Sequence, residues 1–279
     1  MWPTSYPGME FQTTRFEAPK EWEIVDLISD LHLQATNKNT FDAWSDYMIN
    51  TTANAVFILG DLFETWIGDD VLDPISSNDH TKFIFEAKCA EILRETAKKR
   101  SIFFMRGNRD FLIGESFSKH CDVTLLNTPT LFEFSGQLYL LSHGDEMCLD
   151  DQDYQDFRKK VRSPSWQKKF LSQTLDKRNS IALELRSRSR EIQKNKIDFI
   201  DVDENFANLC LDETTAQILI HGHTHQPADH QLLKERIRIV LSDWDLDAQP
   251  PRGEVLRLQQ VKSRIAIHRI SLSQSKSIT

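Results

Sequence analysis

Seven residues of this chain are of types that hold metal ions, and they come in ordered groups. Asp30-Leu31-His32, Gly60-Asp61, Gly107-Asn108, Ser142-His143-Gly144-Asp145 and His221-Gly222-His223-Thr224-His225 offer Asp30, His32, Asp61, Asn108, His143, His223 and His225. These supply three oxygen donors and four imidazoles. Seven donors exceed the needs of one four-coordinate zinc. They suit two adjacent cations that share a bridging carboxylate. Mixed nitrogen and oxygen donors without thiolate point to Mn²⁺, Fe²⁺ or Zn²⁺, whereas Mg²⁺ favours an oxygen shell. Two such ions clamp the attacking and leaving oxygens of a displacement at phosphorus and lower the pKa of a water. The donors therefore point to hydrolysis at phosphorus. Asp30-x-His32 alone is a weak signal. His223 and His225, two apart on extended chain, point the same way. The ordered set is the specific one.

Each group follows a short apolar run: Glu23–Ser29, Ala55–Leu59, Ser101–Met105, Tyr139–Leu141 and Ala216–Ile220. Runs of this length, bounded by polar residues and glycine, read as buried strands. Phe41–Thr52 and Thr81–Arg100 read as helices between them. Alternating strands and helices predict an α/β fold, in which sites form at the carboxyl ends of strands. The expected organisation is an N-terminal extension over residues 1–22, one domain over 23–262 and a C-terminal tail over 263–279.

Composition narrows the classes. The chain has 279 residues, 39% hydrophobic and 27% charged, with net charge −8. That is globular rather than disordered, and long enough to bury a core. An acidic chain is a poor coat for nucleic acid, and no nucleic-acid partner is expected. Cys89, Cys121, Cys148 and Cys210 form no CxxC pair, which suits a reducing compartment. No signal peptide is read near the N-terminus, and no apolar run approaches the ~20 residues of a spanning helix. The expectation is a soluble intracellular protein, with a monomer favoured.

The charge is unevenly spread. Residues 157–196 carry thirteen Lys or Arg against Asp176, Glu184 and Glu191, a local +10 that leaves −18 elsewhere. Phe157, Val161, Trp166, Phe170, Leu171, Leu175, Ile181, Leu185 and Ile192 recur there at mostly helical spacing. Ser163-Pro164 breaks the run, and Pro164 is placed to open a second helix. The segment reads as a basic helical insert, placed at 152–200.

The ordered set of DxH, GD, GN, H and GHxH resembles the signature of the calcineurin-like metallophosphoesterase superfamily over residues 23 to 245. That resemblance implies a two-sheet β-sandwich flanked by helices. It also implies that Asp30, His32 and His225 hold one metal, Asn108, His143 and His223 a second, and that Asp61 bridges them. His221 is expected to be a hydrogen-bonded strand-end histidine.

The third loop departs from most of that superfamily, which has a histidine where this chain has Arg109. Arginine stays charged and cannot act as a general acid, but it binds phosphate oxygens well. A leaving group that needs little protonation then fits best, and a phosphate with a second pKa near 6 is one. This favours pyrophosphate cleavage over phosphomonoester cleavage. The alternative is that Arg109 merely pairs with Asp110.

Longer motifs narrow the resemblance. Gly60-Asp61-Leu62-Phe63-Glu64-Thr65-Trp66-Ile67-Gly68-Asp69-Asp70 is one. Gly107-Asn108-Arg109-Asp110-Phe111, His143-Gly144-Asp145 with Asp150, Asp151, Tyr154, Gln155 and Arg158, and Gly222-His223-Thr224-His225-Gln226-Pro227 are the others. Together they resemble the UDP-2,3-diacylglucosamine pyrophosphatase family of lipid A biosynthesis. The helical insert matches that family's lid.

This resemblance implies water attack on the α-phosphorus of UDP-2,3-diacylglucosamine, giving UMP and 2,3-diacylglucosamine 1-phosphate. Two Mn²⁺ ions are implied, with Fe²⁺ or Zn²⁺ possible. Asn108, Arg109 and His143 would be catalytic. Asn108, Arg109, Asp151, Ser189, Gln193, Lys196 and His223 would contact the substrate. Gln193 replaces the family's Asn and Gln226 an Arg. A lid with apolar and basic residues would sit peripherally on the cytoplasmic face of the inner membrane, with Trp166, Phe170, Leu171 and Leu175 lining an acyl groove and Lys and Arg facing the diphosphate or lipid headgroups. Two other readings are a nucleotide phosphodiesterase or nuclease of the same superfamily, and a non-catalytic scaffold on this fold.

Overall fold

Residues 55–59 are buried throughout, and their alternation shows why. Ala55, Phe57 and Leu59 face one apolar layer, while Val56 and Ile58 face another. A strand covered on both sides must be apolar on both sides. The computed structural model of the chain describes residues 13–73, 82–195 and 200–272, with the side chains of residues 190 and 192–195 outside that description.

In chain order the strands are β1 (Thr14–Glu17), β2 (Ile24–Ile28), β3 (Ala55–Leu59), β4 (Ser101–Met105), β5 (Thr124–Leu126) and β6 (Thr130–Phe134). Then follow β7 (Gln137–Leu141), β8 (Ile218–His221), β9 (Ala228–Gln231), β10 (Ile237–Val240), β11 (Glu254–Val261) and β12 (Arg264–Ser271). The helices are α1 (Lys38–Asn50), α2 (Ile84–Ala97), α3 (Glu115–Cys121), α4 (Gln152–Val161), α5 (Pro164–Leu171), α6 (Leu175–Asn195) and α7 (Glu204–Thr214).

Two six-stranded sheets face each other, one in the order β12-β11-β2-β3-β4-β5 and the other β1-β6-β7-β8-β10-β9. Strands β2 to β5 run parallel, with Leu27 opposite Phe57 and Phe57 opposite Phe103. The layer between the sheets holds Val25, Leu27, Phe57, Phe103, Phe132, Tyr139 and Ile220. Phe57 and Phe103 stack there with centroids 4.5 Å apart. A second core joins the first sheet to α1, α2, α3 and the insert, through Trp44, Leu93, Phe117, Phe170 and Leu175. A third joins the other sheet to α7 through Leu140, Phe206, Leu211 and Leu219. This is the two-sheet α/β sandwich with flanking helices that the sequence implies.

Several boundaries differ from expectation. Residues 14–17 fell in the expected extension, yet β1 pairs in parallel with β6, and Phe16 stacks on Phe132 at 5.9 Å. A four-residue edge strand with one inward aromatic is too short to show a period. Residues 264–271, expected in the tail, form β12 and pair along their whole length with β11. Residues 1–12 and 273–279 lie outside the described residues.

The insert has three helices rather than two. Ser163 caps α5, its Oγ accepting from the Trp166 amide, and Pro164 opens the helix as expected. A second break precedes α6. Leu171 and Leu175 keep helical spacing across it, which hid it in the sequence. Among the described residues no helix is long and apolar enough to cross a membrane.

Candidate active site

The loops leaving β2, β3, β4, β7 and β8 converge at one end of the sandwich. They bring together all seven residues expected as metal donors. Five of these hold a left-handed backbone: Asp30 (φ 55°), His32 (47°), Asp61 (53°), His223 (68°) and His225 (53°). Each such residue costs on the order of 1 kcal/mol or more, and strain of this kind gathers at functional sites.

Glycines let these loops approach. A Cβ on Gly222 would strike Ser29 Oγ and Asp30 Oδ2, and one on Gly107 would strike Asp61. Gly222→Ala should therefore displace Asp30 and cost at least about tenfold in hydrolytic rate, since small misplacements of reacting groups are that expensive. Steady-state kinetics beside a thermal melt checks this; a wild-type rate would contradict it.

Asp30 is fully buried. Its Oδ2 accepts from Ser29 Oγ (2.6 Å) and the His223 amide (2.8 Å). Its Oδ1 is buried with no hydrogen-bond partner, and lies 3.4 Å from His225 Nε2 and 4.0 Å from His32 Nε2. Burial would raise this carboxyl, but His225, His143 and His32 reverse that and hold it far below the usual range.

Asp61 lies between the two halves. Its Oδ1 accepts from the Arg109 amide (2.7 Å) and is 3.7 Å from His143 Nε2. Its Oδ2 is 3.9 Å from His32 Nε2. Asn108 Oδ1 sits 2.9 Å from both His143 Nε2 and His223 Nδ1. His143 Nδ1 donates to the Leu59 carbonyl at 2.9 Å, which turns Nε2 inward. Burial lowers His143, yet Asp61, Asp30 and Asp145 together push it up to about 9. A site that attracts a proton this strongly attracts a cation in its place. Burial and the neighbouring His143 push His223 down to about 4.

Asp30, His32 and His225 present donor atoms within 4.8 Å of one another, and so do Asp30, Asp61 and His143. An unpartnered buried carboxylate oxygen among imidazoles fits a divalent cation, and two overlapping groups fit a pair. His221 stands apart, as expected. Its Nδ1 meets the Gly222 carbonyl at 2.8 Å and its Nε2 meets Arg238 Nη1 at 3.3 Å. Burial and Arg238 push it down to about 3, so it stays neutral.

Arg109 faces the site rather than Asp110. Its Nε is buried, without a hydrogen bond, 3.7 Å from Asp61 Oδ2. Asp110 instead accepts from the amides of Gly107 (2.9 Å), Leu62 (2.7 Å) and Asp61 (3.3 Å), which locks the two loops together. Burial and Asp61 push its carboxyl up.

The other expected substrate contacts are placed unevenly. Asp151 is half-buried and caps α4 by accepting from the Tyr154 amide at 3.3 Å. The Tyr154 ring stacks on His223 at 5.9 Å, so Asp151 is close to the site through one residue. Ser189 is half-buried on the stripe of α6 that carries Arg178, Ala182 and Arg186 toward the body. The Gln193 side chain and all of Lys196 lie outside the described residues.

The insert's arginines were expected near diphosphate or headgroups; four of them clasp the body. Arg158 and Arg162 donate to the buried Asp145 at 2.8 and 3.2 Å, and Arg162 also reaches the Gly107 carbonyl at 2.9 Å. Arg178 donates to the Ile67 carbonyl at 2.7 Å and pairs with Asp70. Arg186 donates to the Glu64 carbonyl at 2.7 Å. Of the apolar residues expected to line an acyl groove, Phe170 and Leu175 are buried in the core, Trp166 is half-buried against Phe111, and Leu171 is exposed. Asp145 and Glu64 were not singled out as functional; both sit inside quoted motifs, which was the available signal.

Comparison with known proteins agrees with this geometry. Residues 25–227 match the family model described as calcineurin-like phosphoesterase. The chain is 38% identical over 223 residues to "UDP-2,3-diacylglucosamine hydrolase" of Cellvibrio japonicus, covering 78% of this chain and 89% of that one. It is 39% identical to the protein of that name from Shewanella piezotolerans, over 78% and 88% of the two chains. It is 40% identical to the one from Aromatoleum aromaticum, over 79% and 89%. The chain thus belongs to the calcineurin-like phosphoesterase family, in the group of the UDP-2,3-diacylglucosamine hydrolases.

Proposed function

We propose that this chain hydrolyses the pyrophosphate bond of UDP-2,3-diacylglucosamine, giving UMP and 2,3-diacylglucosamine 1-phosphate for lipid A biosynthesis. The observation that carries the reading is the convergence of seven donors around the unpartnered Asp30 Oδ1, with Arg109 beside them. The names of relatives about 38% identical over most of the chain supply the substrate.

Asp30, His32 and His225 would hold one ion, Asn108, His143 and His223 the other, with Asp61 between. Two Mn²⁺ ions are our assignment, with Fe²⁺ or Zn²⁺ as substitutes. Bound there, they supply Lewis acidity and a nucleophile from water at neutral pH. The chain's own residues do the rest. Arg109 binds the diphosphate as a permanent cation and offers no acid. The oxygen of water bonds to the α-phosphorus, and the bond to the bridging oxygen breaks. The lipid phosphate leaves as an anion, without a proton donor. Asn108 and His143, tied to each other, fix the phosphate-facing wall. Asp151, Ser189, Gln193, Lys196 and His223 contact the sugar, phosphate or acyl groups.

Exposed Lys159, Lys160, Lys168, Lys169 and Lys177, beside exposed Leu171 and Leu183, support a peripheral stance on the anionic cytoplasmic face of the inner membrane.

Purified protein with Mn²⁺ should release UMP from UDP-2,3-diacylglucosamine. Turnover of bis-p-nitrophenyl phosphate or DNA, with no UMP, would move the chain to the phosphodiesterase reading.

A further inference from the structure

Glu64 belongs to the long motif after Asp61, and the reaction above gives it no role. Its backbone is laced to the first donor loop. The His32 amide donates to the Asp61 carbonyl (3.0 Å), the Leu33 amide to the Leu62 carbonyl (2.9 Å) and the Glu64 amide to the Leu33 carbonyl (3.2 Å). From the other side, Arg186 of α6 donates to the Glu64 carbonyl at 2.7 Å and to Thr65 Oγ1 at 3.3 Å. The residue is thus clamped between the His32 loop and the insert.

Its carboxylate points back at the site. Glu64 Oε2 is 3.2 Å from His32 Nδ1, and Oε1 is 4.0 Å from Arg109 Nη1. His32 Nδ1 is buried and makes no aligned hydrogen bond, while His32 Nε2 faces Asp30 and Asp61.

Two other imidazoles of the site are backed differently. His143 has a backbone carbonyl behind it. His225 Nδ1 is 3.9 Å from Asp243, a carboxylate already held by Arg252 through contacts of 2.9 and 3.1 Å. A carboxylate behind a ligating histidine fixes its tautomer and strengthens it as a donor.

We propose that Glu64 is a positioning residue: its carboxylate accepts the Nδ1 proton of His32 and holds Nε2 toward Asp30 and Asp61, strengthening that imidazole toward a divalent cation. The proposal rests on the two-cation reading above. It also explains why an arginine of the insert reaches past the surface to grip this residue's backbone.

The test uses the full chain stripped of metal and Mn²⁺ alone as probe, followed by electron paramagnetic resonance of the free ion. Wild type should bind two ions. Glu64→Ala should weaken one of them by about 10- to 100-fold and leave the other unchanged. Glu64→Gln, which keeps an acceptor oxygen but loses the charge, should fall between. A second readout is the imidazole nitrogen spectrum of the Zn²⁺-loaded, ¹⁵N-histidine-labelled chain. Wild-type His32 should carry a hydrogen-bonded Nδ1 proton that shifts in Glu64→Ala, while the His143 signal stays. Unchanged Mn²⁺ affinities, equal weakening of both ions, or an unmoved His32 signal would each overturn the role. Fewer than two ions on wild type would overturn the two-cation reading and this proposal with it.

Discussion

Asp61→Ala should abolish UMP release, lowering kcat by on the order of 10³-fold or more, because removing a preorganised charge from such a centre forfeits several kcal/mol of barrier lowering. Asp61 is nearly fully buried, and its two oxygens face opposite partners, His143 on one side and His32 with the Arg109 guanidinium on the other. Asp30 is common to both donor groups, but its Oδ2 is already taken by Ser29 Oγ and the His223 amide. The variant should still fold. The loop is held chiefly by Asp110, which accepts from the amides of residues 61 and 62. A folded Asp61→Ala protein with near wild-type turnover would remove Asp61 from the centre and end the bridging assignment.

Asp145→Ala should produce the largest loss of stability, about 3 kcal/mol, since removing one partner of a buried ion pair strands the other. Asp145 is completely buried and accepts from Tyr154 Oη (2.6 Å), Arg158 Nε (2.8 Å) and Arg162 Nη2 (3.2 Å). We take the lower end of the usual range because Arg158 and Arg162 keep 19% and 21% side-chain exposure. Burial alone would raise the Asp145 carboxyl, but Arg158 and Arg162 hold it well below its ordinary value of 3.8. The sign follows from linkage. A carboxyl lowered by folding contributes stability above its unfolded pKa, and that contribution fades as pH falls through the folded value. The Asp145 contribution to the gap between wild type and variant should therefore shrink below about pH 4. Denaturant melts on either side of that pH check it. A gap that widens on acidification would contradict the assignment. The same variant removes one of the two acceptors that hold Arg162 Nη2 beside the Gly107 loop, so substrate KM should rise as well.

Much of the site could be read in the sequence because its donors occupy strand ends. Ala55–Leu59 and Ser101–Met105 match their strands residue for residue, since a run buried on both faces must be apolar, and only Ser101 at the start of the second is exposed. The glycines and the Asp and His residues that follow mark tight loops whatever the context. What stayed hidden depends on partners far away in the chain. The role of Arg186 is set by a carbonyl 122 positions earlier. Arg178 in the same helix is buried by Asp70 and Ile67. A charge run shows that cations are present but not which ones face the body, so the insert's Lys and Arg were all expected to face the diphosphate or headgroups. The alternative pairing of Arg109 with Asp110 rested on adjacency alone. Neighbouring side chains on such a loop point apart, and backbone amides took the carboxylate instead.

The central claim is hydrolysis at the α-phosphorus of a UDP-linked diacyl sugar within this metal-binding centre. Its most direct test is turnover of UDP-2,3-diacylglucosamine with Mn²⁺ in H₂¹⁸O, followed by mass spectrometry of both products. The account predicts one ¹⁸O in UMP and none in 2,3-diacylglucosamine 1-phosphate. Label in the lipid phosphate would place the attack on the other phosphorus, and the absence of UMP would contradict the reaction itself.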